Sequence, residues 1–276
     1  MTPAGHLTDL HSHLIPGVDD GARTLEDALE GVGRMRDAGI RRIVTTPHLA
    51  ASEIRATEGF EAWLERVEVS WRELAEAVDQ AHDDVEIRRG FEIMLDDPFP
   101  SLEDPRVHLG DSRFVLVEWP QMRIPPGTEA VLARIDEAGL IPVVAHPERY
   151  VGMRENLDLA ERWRSAGAYL QVNHGSLLGR YGPDSRSNAL KFLAKGIVDL
   201  MSTDFHGRPH LSLFVDESRE KFQEMGAGEQ WRLLVQVNPG RLFQDERPLP
   251  VPPLGTRSFL DRVRRVFRSR GALGGD

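Results

Sequence analysis

At 276 residues the chain can bury a large core, and a single domain of that length suits a barrel, a class that often exceeds about 200 residues as one unit. Its formal net charge of -10 argues against non-specific nucleic-acid binding and is compatible with a carboxylate-rich site for cations. The absence of cysteine excludes disulfides, zinc–thiolate sites, Fe–S clusters and any cysteinyl-phosphate chemistry, so catalysis must draw on oxygen and nitrogen groups.

Met1 to Leu7 lacks the basic and apolar regions of a signal peptide. No apolar run reaches the ~18–20 residues of a membrane span, so the cytoplasm is the expected compartment. Short apolar runs then alternate with amphipathic stretches. The predicted strands are Leu7–His11, Ile40–Thr45, Val85–Arg89, Phe114–Glu118, Ile141–Ala145, Ala168–Val172 and Ile197–Met201. Between them the spacing predicts helices over Thr24–Ala38, Glu58–Gln80, Gly127–Ala138, Asn156–Ala166 and Asp184–Lys195, several ending at a glycine (Gly39, Gly139, Gly167, Gly196). Strand–helix alternation of this kind implies parallel strands and an α/β fold, with a closed (β/α) barrel favoured over an open doubly wound sheet.

The barrel is expected to occupy residues 1–245, with 246–276 a proline-rich linker and a basic amphipathic tail. Glu246–Gly255 is the linker; Ser258–Arg270 carries five arginines beside Phe259, Leu260, Val263 and Phe267 on one helical face. Such a tail is either solvated or in contact with an anionic membrane surface or acidic partner.

The polar residues that interrupt the strands carry the chemistry. The first strand leads into Asp9-Leu10-His11-Ser12-His13, where residues i and i+2 project to one side and can grip one metal together. Others lead into His48, Glu92, Glu118, His146 and the pair Asp204 and His206. Strand C-termini in a (β/α) barrel open onto one rim, and a pattern repeated at equivalent strand ends is poorly explained by isolated surface histidines. His11, His13, Asp20, His48, Glu92, Glu118, His146, Asp204 and His206 would give three ions about three protein ligands each. Imidazole with carboxylate suits Zn²⁺, Mn²⁺ or Fe²⁺. Such ions leave surplus positive charge for an anionic substrate such as a phosphate monoester, and they make a bound water a ready nucleophile. Arg149 and Arg208, beside His146 and His206, are candidate catalytic and substrate-binding residues for the phosphate. His6, His82, His108 and His210 are expected at the surface.

The run Asp9-Leu10-His11-Ser12-His13-Leu14-Ile15-Pro16-Gly17-Val18-Asp19-Asp20-Gly21-Ala22 resembles the opening of the bacterial protein-tyrosine phosphatases of the PHP (polymerase and histidinol phosphatase) superfamily, which accompany capsule and exopolysaccharide gene clusters. The likeness continues through Thr46-Pro47-His48, Gly90-Phe91-Glu92-Ile93, Val117-Glu118-Trp119-Pro120, Ala145–Tyr150 and Gln171–Gly179, covering roughly residues 7–243. It implies a distorted (β/α)7 TIM-like barrel with three metals, usually manganese or iron. By that pattern His11, His13, Glu92 and Asp204 hold one ion, Glu92 bridges to a second held with Glu118 and His146, and Asp20, His48 and His206 hold the third. The implied substrate is a phosphotyrosine protein, the tail of a bacterial tyrosine kinase that controls polysaccharide export. The resemblance also implies a homo-oligomer, for which Gly31 to Gly39 is a candidate contact. Two positions depart from the pattern. His206 runs directly into Gly207-Arg208-Pro209 where the family usually has a longer loop, and His174 stands where a small residue is common.

Two other functions fit much of the same sequence. A phosphoesterase for a small metabolite, histidinol phosphate or a sugar phosphate, would use nearly the same ligands. A non-catalytic binding protein would be expected to have lost ligands, and none is missing.

Overall fold

The computed structural model describes residues 5–255. The predicted basic helix over Ser258–Arg270 lies outside them. In chain order the elements are β1 (Leu7–Asp9), α1 (Leu25–Asp37), β2 (Ile40–Thr45), β3 (His48–Ala50), α2 (Ala51–Arg55) and α3 (Thr57–Ala81). There follow β4 (Glu86–Arg89), β5 (Glu92–Met94), β6 (Phe114–Glu118), α4 (Thr128–Glu137), β7 (Ile141–Ala145) and α5 (Asp158–Ser165). The chain continues with β8 (Tyr169–Asn173), α6 (His174–Leu177), α7 (Pro183–Lys195) and β9 (Leu200–Ser202). It ends in α8 (Val215–Glu224), α9 (Gly228–Arg232), a π-helical turn (Leu233–Val237) and α10 (Asn238–Leu242).

All strand pairings are parallel, in the orders β1-β2-β4 and β3-β5-β6-β7-β8-β9. This is the parallel α/β fold expected from the alternation. β3 and β5 were not anticipated. They continue β2 and β4 past breaks at Thr46-Pro47 and Gly90-Phe91, and the breaks are in step, since Gly90 N–H donates to Thr45 O at 2.9 Å and Glu92 N–H to Pro47 O at 3.1 Å. The segment after β1 joins the two ladders. Thr46 N–H donates to Ser12 O at 2.6 Å on one side, and His13 N–H donates to Phe205 O at 2.8 Å on the other.

Side-chain alternation explains both the packing and the placing of the polar strand ends. Along β6, Phe114 and Leu116 belong to an inner apolar cluster with Leu10, Val44, Val143 and Leu200, while Val115 and Val117 face the helix layer. Glu118 is next in the inward file, so the period of two that builds the core delivers a carboxylate above it. The inner cluster is closed at the other end by Leu242 and Phe243 of the C-terminal helical segment. None of the helices after Phe205 is evident from the sequence pattern.

The glycines expected to end helices, Gly39, Gly139, Gly167 and Gly196, all have positive φ (93, 83, 97 and 68°), the left-handed geometry that lets a helix stop and turn into a strand. The segment 246–255, expected to be an extended linker, forms no helix or strand and packs on the rest of the fold. Val251 is buried, Leu254 N–H donates to Leu193 O at 2.8 Å, and Asn238 bonds both ways with the Leu249 backbone. Gly31 also has an internal role, because a Cβ there would lie 3.1 Å from both Leu14 and Phe205, so this glycine lets α1 close against the segments that carry the site.

Candidate metal centre

All nine predicted ligand residues meet at the C-terminal ends of the strands. Four overlapping groups bring their donor atoms together: His13, Asp20, His48 and His206; His11, His13 and Glu92; His11, His146 and Asp204; and His48, Glu92 and Glu118. The cluster is graded in depth. His11, His13, Glu92, His146 and Asp204 are buried, whereas Asp20, His48 and His206 stand at the mouth.

In the deep part, His11 Nε2 and His13 Nε2 face one another at 3.3 Å. His11 Nε2 lies 3.2 Å from Glu92 Oε2 and 3.4 Å from Asp204 Oδ1, and His13 Nε2 lies 3.4 and 3.5 Å from the same two oxygens. Donors around an ion with bonds of about 2.1 Å in a tetrahedron are about 3.4 Å apart, so this spacing fits a small divalent cation. Glu92 Oε2 is also fully buried with no hydrogen-bond partner, an oxygen that a cation would satisfy. Glu92 reaches His146 as well, Oε1 to Nε2 at 2.8 Å. At the mouth, Asp20 Oδ1 lies 3.4 Å from both His48 Nε2 and His206 Nε2. His48 faces two groups, because its Nδ1 is 3.1 Å from Glu92 and 3.5 Å from Glu118.

The outer supports are not assigned by the sequence. His13 Nδ1 bonds Asp19 Oδ2 at 2.7 Å, and Asp19 also accepts from Gly21 N–H at 2.9 Å and His48 N–H at 3.1 Å. His11 Nδ1 meets Gln171 Oε1 at 2.9 Å, Gln171 donates to Asn173 Oδ1, and Asn173 donates to Asp204 Oδ2 at 2.7 Å. A proton held on each Nδ1 by these acceptors leaves Nε2 of both histidines free to coordinate. Asp9 accepts from His11 N–H and Thr203 N–H, and burial raises its pKa to about 6. The strand rule could have found Gln171 and Asn173, which share the inward face of β8. Asp19, beside the predicted ligand Asp20, has no sequence signal of its own as a support.

The electrostatics are those of a tightly compensated cluster. Burial opposes charge on Glu92 and Asp204, yet the surrounding histidines, with His11 foremost, hold both carboxyls below the usual range. Burial likewise opposes charge on His13, but Asp19, Asp204 and Glu92 raise it well above an ordinary histidine. Charge favours occupancy by cations that would replace those protons.

Arg149 Nη1 donates to Asp204 Oδ2 at 2.7 Å, and its guanidinium lies over the Tyr181 ring at 4.1 Å, a face that fixes its plane. Arg208 is engaged differently. Its Nη2 donates to Asp20 O at 2.5 Å and its Nε to Gly21 O at 3.3 Å, so in this state it straps the turn that carries Asp20. His174 lies outside the cluster, buried beside Trp231 with ring centroids 5.7 Å apart. His108 was expected at the surface and is instead buried, its Nε2 meeting Leu102 O at 2.8 Å. Its polar atom is satisfied by a backbone carbonyl, which sequence alone does not reveal.

Residues 7–244 match the family described as capsular polysaccharide synthesis, CpsB/CapC. The chain belongs to that family. Among its relatives are the tyrosine-protein phosphatase YwqE of Bacillus subtilis, 28% identical over 72% of this chain and 77% of the relative, and the tyrosine-protein phosphatase CpsB of Streptococcus pneumoniae, 26% identical over 87% and 99%. A solved structure from work on YwqE and CpsB, described there as metal-dependent tyrosine phosphatases, matches with a TM-score of 0.72 at 24% identity, over 91% of this chain and 99% of its own. The Escherichia coli phosphotriesterase homology protein, solved with phosphate in its active site, matches with a TM-score of 0.50 at 12% identity, over 88% and 100%. At such identities the structural likeness speaks for the fold.

Proposed function

We propose that this CpsB/CapC family member is a metal-dependent protein-tyrosine phosphatase, a phosphoric monoester hydrolase of capsule or exopolysaccharide synthesis. The observation that carries the proposal is the convergence of five histidines and four carboxylates at one rim, with Arg149 on Asp204 at its edge. Relatives of this chain bear the name tyrosine-protein phosphatase. We read the supporting fold as a distorted (β/α)7 barrel in one domain, onto which residues 246–255 also pack. Counting β2 with β3 and β4 with β5 as single strands supports that number, and the bonds of His13 and Asp204 across to Phe205 and His11 support its closure.

The donor set fits three divalent ions, manganese first and iron or zinc as substitutes. His11, His13, Glu92 and Asp204 would hold one ion, Glu92, Glu118 and His146 a second, and Asp20, His48 and His206 the third. Ions held there would supply Lewis acidity and a water that loses its proton near neutral pH. The rest falls to the protein. Asp19 and Gln171 orient His13 and His11, and Asn173 and Arg149 fix Asp204. Arg149, held flat by Tyr181, presents its remaining N–H groups to the phosphate and stabilises charge as the P–O bond breaks. Arg208 would turn from the Asp20 carbonyl toward a bound phosphate. The protein substrate would be the tyrosine-rich cytoplasmic tail of a bacterial kinase, which sets the enzyme in the cytoplasm.

The test is to strip the protein of metal and assay a phosphotyrosine peptide, a phosphoserine peptide and histidinol phosphate, with and without Mn²⁺. Manganese-dependent release from phosphotyrosine, lost in His11→Ala and Arg149→Ala, is expected. Preference for histidinol phosphate would replace the substrate while keeping the metal site, and silence on all three by folded, metal-loaded protein would refute the enzyme.

A further inference from the structure

The rim beside Arg149 carries an arc of arginines that nothing in the described residues neutralises. Arg123, Arg180 and Arg186 are exposed, and among the described residues none has a side-chain hydrogen bond or ion pair. In a chain of net charge -10 several other exposed arginines do find carboxylates: Arg106 on Glu61, Arg154 on Asp184 and Arg232 on Glu229.

The three stand on segments that meet around Arg149. Arg123 follows the end of β6 and forms a parallel bridge with Val151, whose N–H donates to Met122 O at 2.9 Å. Val151 stands two residues beyond Arg149 and is 70% exposed. Arg149 in turn lies over Tyr181, the neighbour of Arg180. Arg186 sits in the first turn of α7, with its Cδ 3.7 Å from where a Cβ on Gly179 would lie. Strand ends and the starts of the helices that follow them share one face in such a fold, so the arc borders the mouth of the site. It is also rigid where Arg123 stands. Gln121 and Met122 hold left-handed backbone (φ 55 and 54°), pinned by Trp119 N–H on Tyr150 Oη at 3.0 Å and by the Val151 bond. Non-glycine residues keep such geometry only where the surroundings enforce it.

We propose that this arc docks the acidic stretch of polypeptide flanking the phosphotyrosine, with Val151 as its apolar contact. The proposal rests on the phosphatase function above and adds its sequence preference. An extended peptide advances about 3.3 Å per residue, so acidic side chains two or three positions from the phosphotyrosine lie roughly 7–10 Å from it. That reach spans the rim next to Arg149. Opposite charge there raises encounter and fixes register without taking part in the chemistry. Glu155 is an exposed carboxylate on the same stretch of rim and marks the side where acidic residues of a substrate would be repelled.

The experiment compares kcat/KM for three phosphotyrosine peptides, flanked by glutamates, by alanines or by lysines, each divided by kcat/KM for p-nitrophenyl phosphate, which has no flanks. Manganese-loaded wild-type protein should favour the glutamate peptide over the alanine peptide about 5- to 20-fold at low salt. The preference should collapse near 0.5 M salt, where the Debye length is only about 4 Å. The triple variant R123E/R180E/R186E should lose that preference and turn over the lysine peptide better. The neutral set R123Q/R180Q/R186Q, checked by thermal melt, should also lose the preference and serves as the test should the reversal variant fold poorly. A ratio unchanged within two-fold in both variants would overturn the docking arc while leaving the phosphatase intact. Wild-type protein that turns over no phosphotyrosine substrate at all would overturn both.

Discussion

Asp19 offers the sharpest test of how the site is built, because it is no predicted ligand yet supports two of them. Its carboxylate accepts from His13 Nδ1 at 2.7 Å, Gly21 N–H at 2.9 Å and His48 N–H at 3.1 Å. Burial opposes its charge, but the His13 contact outweighs this and lowers its pKa. Asp19→Asn keeps the shape and one acceptor but removes the anion that holds the His13 tautomer. Loss of an outer partner of this kind costs about 10- to 100-fold in metal affinity, or roughly 1.4–2.7 kcal/mol. Asp19→Ala also strands two backbone N–H groups, so it should cost a further ~1–3 kcal/mol of fold stability, at the low end because water reaches the turn. Manganese affinity by calorimetric titration and stability by chemical denaturation separate the two effects. Metal affinity within two-fold of wild type in both variants would refute the supporting role, whatever happens to stability.

Two further outcomes follow from the same geometry. In Gly21→Ala the new Cβ would lie 2.2 Å from His13 O and 2.5 Å from His13 Cβ, so the Asp19–Ala22 turn must shift; metal affinity should fall more than about 10-fold while the far-UV circular dichroism persists, and retained affinity would show that the turn's path does not set the site. Burial and then the Arg219 charge push the His174 pKa down to about 3, so the fold keeps it neutral while an unfolded chain protonates it below about 6.5. Its contribution is therefore full above that value and fades as pH falls, by about 2–3 kcal/mol at pH 4.5. Denaturation curves at pH 7.5 and 4.5 should show His174→Leu losing that much less on acidification, and equal losses would count against it.

The strand ends are the most legible part of the molecule because two simple periods meet there. Apolar alternation along Phe114–Leu116 and Val143–Ala145 marks the strands, and the first polar residue beyond each must lie above the core. That logic finds Glu118 without any contact information, whereas His146 follows Ala145, itself on the inner face, and reaches the site through its left-handed backbone. The supports are harder to see. Asp19 and Asp20 are adjacent and alike, and only the path of the turn decides that one bonds His13 from behind while the other faces His48 and His206. Gln171 and Asn173 are readable by the same i, i+2 rule as His11 and His13, but amides are weak signals of a metal site. The helices after Phe205 escape for another reason. α8 begins after Phe214 at φ 60°, a left-handed residue that is not glycine and so carries no marker in the sequence.

The same kind of backbone recurs inside the site, and it indicates where the fold gives up stability for placement. His146 and Asp204 adopt φ of 35 and 52°, although a left-handed non-glycine residue costs about 1–2 kcal/mol. Each follows a strand, β7 or β9, closely. An extended continuation would send successive side chains to opposite faces, whereas the left-handed step re-aims the chain just after the ladder ends. The surroundings hold both residues there: Asp204 N–H donates to His11 O at 2.9 Å, and Arg149 N–H donates to His146 O at 2.9 Å. The latter bond also seats Arg149 above Asp204, so one strained residue places a metal-facing imidazole and the guanidinium together. Strain held by main-chain bonds does not depend on a bound ion, which makes these two positions part of a site shaped before any metal or substrate arrives.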